Sequence, residues 1–439
     1  MSKQKAIYIL GAGALGLNII KWAKEADLYT IVTDMNKEAP GFKLADKAFC
    51  INILNIDEHL DNLKYLAGNF NIVGAYCGIE LGLNTLYHIH QYLNLNYLSK
   101  ESLNIVQDKV KMKNIWQKNT LSTPIMTLIK DSNELTSFLK YKNQSFIIKP
   151  STGSGSRGVQ LINNKMDLEE VFKQTIYSVN DKTEVILEEY IQGRSIDVNG
   201  IFINNIFYPA GILEKYETSL PDFLPIAGND PANISKSEEK IVYNLFENGC
   251  RLLGITQGPV KGDLIRSLNG TYYLLEISPR FHGDVTTSNT LPFGSKINPI
   301  KFYFNFLKNN TIETSFIKPK LQQYATWRVI TLPPGIIKKH MNTKKHHPQI
   351  TKIWLNPKMK SHVDKYTNTT AIPGYICAYG KDKEEVETIL TQYFIQNNTE
   401  IIPNKKHIKW YNQLALQIQK HGFPKSSFGY QQENNKDKK

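Results

Sequence analysis

Short apolar, β-branched runs alternate with helix-period segments over the first hundred positions. Residues 6–10 predict a buried parallel strand, with a helix through residue 26 behind it, and residues 29–33 predict a second strand ending at Asp34. Strands at 48–53 and 72–77 and helices at Ile56 to Ala67 and 82–93 extend the same βα pattern. The period then changes. Residues 102–119 read as one helix, broken by Leu121-Ser122-Thr123-Pro124, and two short strands follow at 146–148 and 159–162. Beyond a helix at Leu168–Tyr177 and a strand at 184–190, residues 196–203 and 207–213 predict an antiparallel sheet, and 237–253 a long amphipathic helix. Strands at 258–265 and 271–277 form a hairpin turned at Asn269-Gly270. Strands at 322–331 and 372–379, a helix at 383–395, and a solvated loop at 338–347 complete the pattern; the polar end, 431–439, is expected to be disordered. The fold class is therefore α/β followed by α+β.

The first candidate chemistry lies at 146–162. A buried strand ends in Lys149 and opens into Ser151, Thr152, Gly153, Ser154, Gly155, Ser156, Arg157 and Gly158, after which the chain returns as a strand. Glycines let backbone N–H groups approach phosphate oxygens, hydroxyls add donors, and Lys149 and Arg157 supply fixed charge. Taken alone, the segment reads equally well as a flexible surface hairpin. It is not a Walker A loop, because no Gly-Lys-Ser/Thr opens a helix here.

The second lies on the hairpin at 258–277. Asp263 and Glu276 occupy adjacent strands, where two facing carboxylates repel unless a cation lies between them. Ser278 puts an oxygen on the face of Glu276 one strand period later, a set suited to Mg²⁺, with Mn²⁺ an alternative. Arg280 is placed to meet a phosphate or an acyl oxyanion. A third motif, Gly11-Ala12-Gly13-Ala14-Leu15-Gly16 with Asp34 beyond it, fits a dinucleotide site or a plain strand-to-helix turn.

Composition narrows these readings. A chain of 439 residues exceeds one core, so two or three domains are expected. The net charge of +13 comes from dispersed lysines, and no nucleic-acid-binding signature accompanies it, so no nucleic acid partner is expected. Four scattered cysteines without a CxxC pair suit a reducing cytoplasm. A short polar lead runs straight into a strand, and no apolar run approaches ~20 residues, so neither a secretory signal nor a membrane span is expected.

Together, the glycine hairpin and the acidic hairpin resemble the ATP-grasp superfamily, in the branch of biotin carboxylase and the carbamoyl phosphate synthetase large subunit. The resemblance implies a Rossmann-like preceding domain at 1–103, a two-lobed ATP-grasp domain at 104–312, a small C-terminal α+β domain at 313–425, and a disordered basic tail at 426–439. It implies ATP and Mg²⁺ as cofactors. Lys109, Lys149 and the loop Ser151 to Gly158 would meet phosphates, and Glu188, Glu189, Tyr190 and Ile191 would meet adenine and ribose. Asp263, Glu276 and Ser278 would hold the metal, with Lys149 and Arg280 catalytic. Two departures stand out: Ser278 replaces the family's asparagine, and Gly193-Arg194-Ser195 lacks its acid, which Asp197 partly replaces. The loops 77–84 and 280–284 would border the acceptor pocket. The resemblance demotes the first glycine motif to a turn without NAD. The implied protein is a cytoplasmic carboxylate–amine ligase acting on small molecules, with a homodimer among the expected assemblies. No biotin-carrier signature is present. An NAD(P)-dependent oxidoreductase and a non-catalytic ATP-binding protein stay open beside it.

Overall fold

The structure, a computed structural model, describes residues 3–153, 157–178, 184–218, 223–283, 285–320, 323–343, 347–356, 359, 361–368 and 371–431. The expected loop residues Ser154, Gly155 and Ser156, Asp284, residues 344–346 of the loop 338–347, and the tail 432–439 lie outside the described residues. The chain is mixed α/β and divides into two compact units interleaved in sequence. One comprises Met1–Pro124, Ile196–Leu213 and Ala232–Leu321; the other comprises Ile125–Ser195, Glu214–Pro231 and Gln322–Lys439.

In the first unit, Gln4–Leu10 pairs in parallel with Tyr29–Asp34 on one side and Phe70–Cys77 on the other, and Lys47–Cys50 adds an edge. Ala6 to Leu10 are buried, as both faces of a parallel sheet require. Gly11 takes φ +97°, and Asp34 Oδ2 accepts from the Ala12 N–H at 2.8 Å while Oδ1 accepts from Asn36. The acid after the second strand is thus spent on the strand-to-helix turn itself. Further along, Tyr272–Ser278, Gly258–Ser267 and the strands through 196–203 and 206–213 lie side by side in that order. The helix Lys236–Leu252 starts at a capping box, Ser235 with Glu238. Its Val242, Phe246 and Cys250 join Trp116, Phe202, Leu274 and Ile277 in one core.

In the second unit, Met126–Ile129, Val185–Glu189, Phe146–Pro150 and Gln160–Ile162 form a four-stranded antiparallel sheet in that order. Leu135, Leu139, Ile148, Phe172 and Leu187 make its core, with helices Ser132–Leu139 and Leu168–Tyr177. The strands Pro225–Asp230, Tyr324–Val329, Gly374–Gly380 and Ile350–Leu355 pair in sequence of place, all antiparallel. Arg328 is fully buried there, paired with Glu387 and in cation–π contact with the rings of Phe423 and Phe428.

Several segments differ from the sequence expectation. Residues 102–119 form two helices, Lys100–Val106 and Lys109–Lys118, because the Asp108 side chain takes the N–H groups of Val110 and Lys111 and starts a new helix. The loop expected at 338–347 begins as the end of a strand, Gly335–Lys339, paired with Glu400–Pro403. Helices Pro299–Asn309 and Ile408–Lys420 were not anticipated; the first buries Phe302, Tyr303, Phe304 and Phe306. Among the described residues, no helix is long and apolar enough to cross a membrane.

Candidate functional site

Candidate residues fall in both units, and each set is organised by its own sheet. In the first unit, the hairpin Gly258–Ser267/Tyr272–Ser278 turns at Gly270, φ +86°, and its register sets Asp263 opposite Glu276 and Lys261 opposite Ser278. Period two puts Lys261 and Asp263 on one face of their strand, and Glu276 and Ser278 on the matching face of theirs. Lys261 Nζ donates to Asp263 Oδ2 at 2.6 Å and lies 3.7 Å from Glu276 Oε1. From the first turn of Lys109–Lys118, Lys109 Nζ lies 3.8 Å from Glu276 Oε2. Burial, the largest influence, pulls the Lys261 ammonium down, but the Asp263 and Glu276 carboxylates outweigh it and its pKa rises above the ordinary lysine value.

Just past the hairpin, Arg280 Nε donates to Glu80 Oε2 at 2.8 Å, and the fully buried Ser278 hydroxyl donates to the same oxygen at 2.8 Å. Burial, the largest influence, pulls the Arg280 pKa down, but Glu80, with Glu276 and Cys77, outweighs it and the pKa rises above the ordinary arginine value. His282 follows two residues on. Its Nδ1 lies 3.0 Å from Asn199 Oδ1, and its Nε2 lies 3.2 Å from Asp263 Oδ1 and 3.6 Å from Asp197 Oδ1. Asp197, Asp263 and His282 bring three ligand atoms within 4.8 Å of one another, an arrangement that could hold a metal ion. One π-helical turn, Thr286–Thr290, follows with all five residues buried.

In the second unit, Lys149 Nζ lies 2.8 Å from Glu188 Oε1, and both side chains are buried. Ile147 stands opposite Glu188, so Lys149, two residues on, is its diagonal neighbour on the same face. Ser151 is buried and its N–H donates to the Glu184 carbonyl at 2.8 Å. Gly153 and Gly158 take φ +103° and +71°, and a Cβ on Gly158 would sit 2.1 Å from Ser178 Oγ, so only glycine fits the return of this loop. Arg157 and Thr152 are both exposed. The Glu189 N–H donates to the Ile125 carbonyl, Tyr190 faces Phe223 at a ring distance of 6.4 Å, and Ile191 is buried. Beyond them, Arg194 donates to the buried Glu214 at 2.9 Å, and Ser195 Oγ donates to Glu217 Oε2 at 3.0 Å.

Residues 142–289 match the ATP-grasp domain family. The match spans both hairpins singled out in the sequence. A carbamoyl phosphate synthase large chain of Clostridium botulinum is 21% identical over 438 residues, covering 93% of this chain and 38% of the relative, so the chain spans well under half of that protein. Among solved structures, an L-amino acid ligase from Bacillus licheniformis superposes with a TM-score of 0.74 at 19% identity, covering 92% of this chain and 100% of that one. The biotin carboxylase domain of the Hydrogenobacter thermophilus 2-oxoglutarate carboxylase, solved with MgADP, ADP and bicarbonate, superposes with a TM-score of 0.72 at 12% identity, covering 98% and 100%.

The ATP-grasp match contains Lys149, Glu188, Asp263, Glu276, Ser278 and Arg280, whereas Lys109 and Glu80 lie outside it. Within the first unit, the structure brings Lys109, Asp263, Glu276, Ser278 and Arg280 together, and within the second it joins Lys149 to Glu188. Sequence reasoning missed Lys261 as a member of the set, although its place two residues before Asp263 is a readable signal. It flagged His282 and the loop holding Glu80 only as neighbours of a pocket. Their partners come from remote segments, which no local pattern reveals.

Proposed function

We propose that the protein is an ATP- and Mg²⁺-dependent ligase that joins a small-molecule carboxylate to an amine or similar nucleophile. The observation that carries this reading is the facing pair Asp263–Glu276 inside an ATP-grasp domain, with a buried, permanently charged Arg280 two residues beyond Ser278. The names of the similar proteins, a carbamoyl phosphate synthase, an L-amino acid ligase and a carboxylase solved with MgADP, point the same way.

The donor set fits a hard divalent ion: two facing carboxylates would offer oxygens to Mg²⁺ and leave positions for phosphate oxygens. Asp263 and Glu276 would hold it, and when bound it would draw charge from the terminal phosphates. Ser278 directs its hydroxyl proton to Glu80, so its contribution is confined to a lone pair. Lys149 and the N–H groups and hydroxyls of the Ser151 to Gly158 loop would bind phosphate oxygens, and the stretch Glu188 to Ile191 would read adenine and ribose. Lys109 adds positive charge on the Glu276 side.

In this reading a carboxylate oxygen of the acceptor attacks the γ-phosphorus. The bond to the bridging oxygen breaks, giving an acyl phosphate and ADP. The nucleophile's nitrogen then attacks the acyl carbon, the carbon–oxygen bond to phosphate breaks, and the amine proton leaves with phosphate or water. Arg280 would stabilise the oxyanion formed in that step, after exchanging part of its contact with Glu80 for substrate. Closure of the glycine loop would keep water from the acyl phosphate.

The test is ADP release from Mg²⁺-ATP against amino acids and small carboxylic acids supplied singly and in pairs. Release that requires two acceptors together supports the ligase and names its substrates. ATP stabilisation of the fold without ADP release from any pair would favour a binding protein, the reading consistent with Arg280 and Ser278 both spent on Glu80.

A further inference from the structure

Each of the four oxygens of the Asp263–Glu276 pair faces a basic nitrogen within the same unit. Asp263 Oδ2 takes Lys261 at 2.6 Å and Oδ1 faces His282 at 3.2 Å; Glu276 Oε1 faces Lys261 at 3.7 Å and Oε2 faces Lys109 at 3.8 Å. Of these, only Lys261 spans both acids. It belongs to the same hairpin, opposite Ser278, and its side chain is 8% exposed.

A lysine in that place is not a passing surface charge. Burying an ammonium is unfavourable unless it is well paired, and the partners here are the two acids assigned to the metal. A fixed positive charge a few ångströms from both carboxylates cancels much of their repulsion without a metal. It also opposes the entry of any further cation, since like charges at such range interact strongly in a partly buried setting.

We propose that Lys261 is a built-in cation of the acid pair. It holds Asp263 and Glu276 together when no metal is present and weakens their affinity for a divalent ion. The ion then binds well only when nucleotide phosphates add negative charge. This inference rests on the assignment of Asp263 and Glu276 as metal acids made above.

The decisive experiment is a Mn²⁺ titration of the nucleotide-free protein, with free Mn²⁺ read by electron paramagnetic resonance and folding checked by circular dichroism. Lys261→Met is expected to bind Mn²⁺ at least tenfold more tightly than the unaltered chain, and Lys261→Arg to bind as weakly as the unaltered chain. Adding Glu276→Gln to Lys261→Met should abolish the gain. Lys261→Gln, which keeps a hydrogen-bond donor, serves if the methionine variant does not fold, with the same expected gain. Equal Mn²⁺ affinity in the folded uncharged variants and the unaltered chain would overturn the proposal, and so would a gain that survives Glu276→Gln. Because the titration contains neither nucleotide nor acceptor, a failed ligase assay does not disturb it. An absence of Mn²⁺ binding in every variant, even with ADP added, would overturn both the lysine's role and the metal assignment.

Discussion

Lys149 and Glu188 show at the scale of one pair how binding and stability share residues. Their charged atoms are 2.8 Å apart and both side chains are buried, on a small sheet whose core is otherwise apolar. Removing one partner leaves the other charge uncompensated, which costs about 3–5 kcal/mol in sites of this kind, whereas replacing both with apolar groups is often close to neutral. Lys149→Met should therefore lower the melting temperature as well as ADP release. Lys149→Met combined with Glu188→Leu should recover most of the lost stability while ADP binding stays at least a hundredfold weakened. Parallel thermal melts and calorimetric ADP titrations check both statements. Recovery of nucleotide binding in the double variant would remove Lys149 from the phosphate-binding set. The lysine itself was legible in sequence, at the end of an apolar strand before a glycine loop. Its pairing with Glu188 was not, because it depends on the register of Phe146–Pro150 against Val185–Glu189, strands separated in the chain by another strand and a helix.

Single elements carry a second layer of the same logic. The helix Lys109–Lys118 exists as a separate element because Asp108 caps it, and the cap places Lys109 at the first helical position, 3.8 Å from Glu276. Asp108→Ala should remove about 1 kcal/mol of stability, the usual worth of an N-cap. It should also weaken ADP binding severalfold by loosening the turn that aims Lys109, while Asp108→Asn, which caps equally well, should preserve both. Urea midpoints and ADP titrations of the two variants separate the outcomes, and identical ADP affinity in Asp108→Ala would detach the cap from the site. The continuous helical period through residues 102–119 hid this break, because an N-cap aspartate within such a run looks like an ordinary exposed polar position. The acidic hairpin was the opposite case. Its Asn269-Gly270 turn, with Gly270 at φ +86°, marks the hairpin locally, and although a bulge between Asp263 and Leu264 shifts the register by one residue to set Asp263 opposite Glu276, the pairing of the two acid-bearing strands could be read from sequence alone. Glu80, reaching Arg280 across two hundred positions, could not.

Across the whole chain, the second unit is assembled from three stretches that return to one another, and its last stretch completes a sheet begun far earlier. Pro225–Asp230 is buried over nearly its full length, and residues 227–230 pair with 325–328. Thr326 donates to Asn229 at 2.8 Å, His421 Nε2 lies 2.8 Å from the Glu217 carbonyl, and Tyr216 packs edge-on against Phe423 at 4.8 Å. Trp327 packs closely against Gly228, where a Cβ would come within 2.2 Å of its Nε1. A chain ending at residue 320 would therefore expose an unpaired apolar strand edge, lose the covering of Gly228, and leave the buried Asn229 without its hydroxyl partner. Such an edge is a template for association between chains. We expect the truncated protein to enter the insoluble fraction on expression, or to melt without a cooperative transition and without ADP stabilisation. Size-exclusion chromatography and thermal melts with and without ADP read this directly. A soluble truncation with a cooperative melt and full-strength ADP binding would show instead that the fold up to residue 320 stands without the rest of the chain, in keeping with the separate domain at 313–425 expected from sequence. The hydrogen bonds from Thr326 and His421 would then have to be dispensable to the strands they now complete.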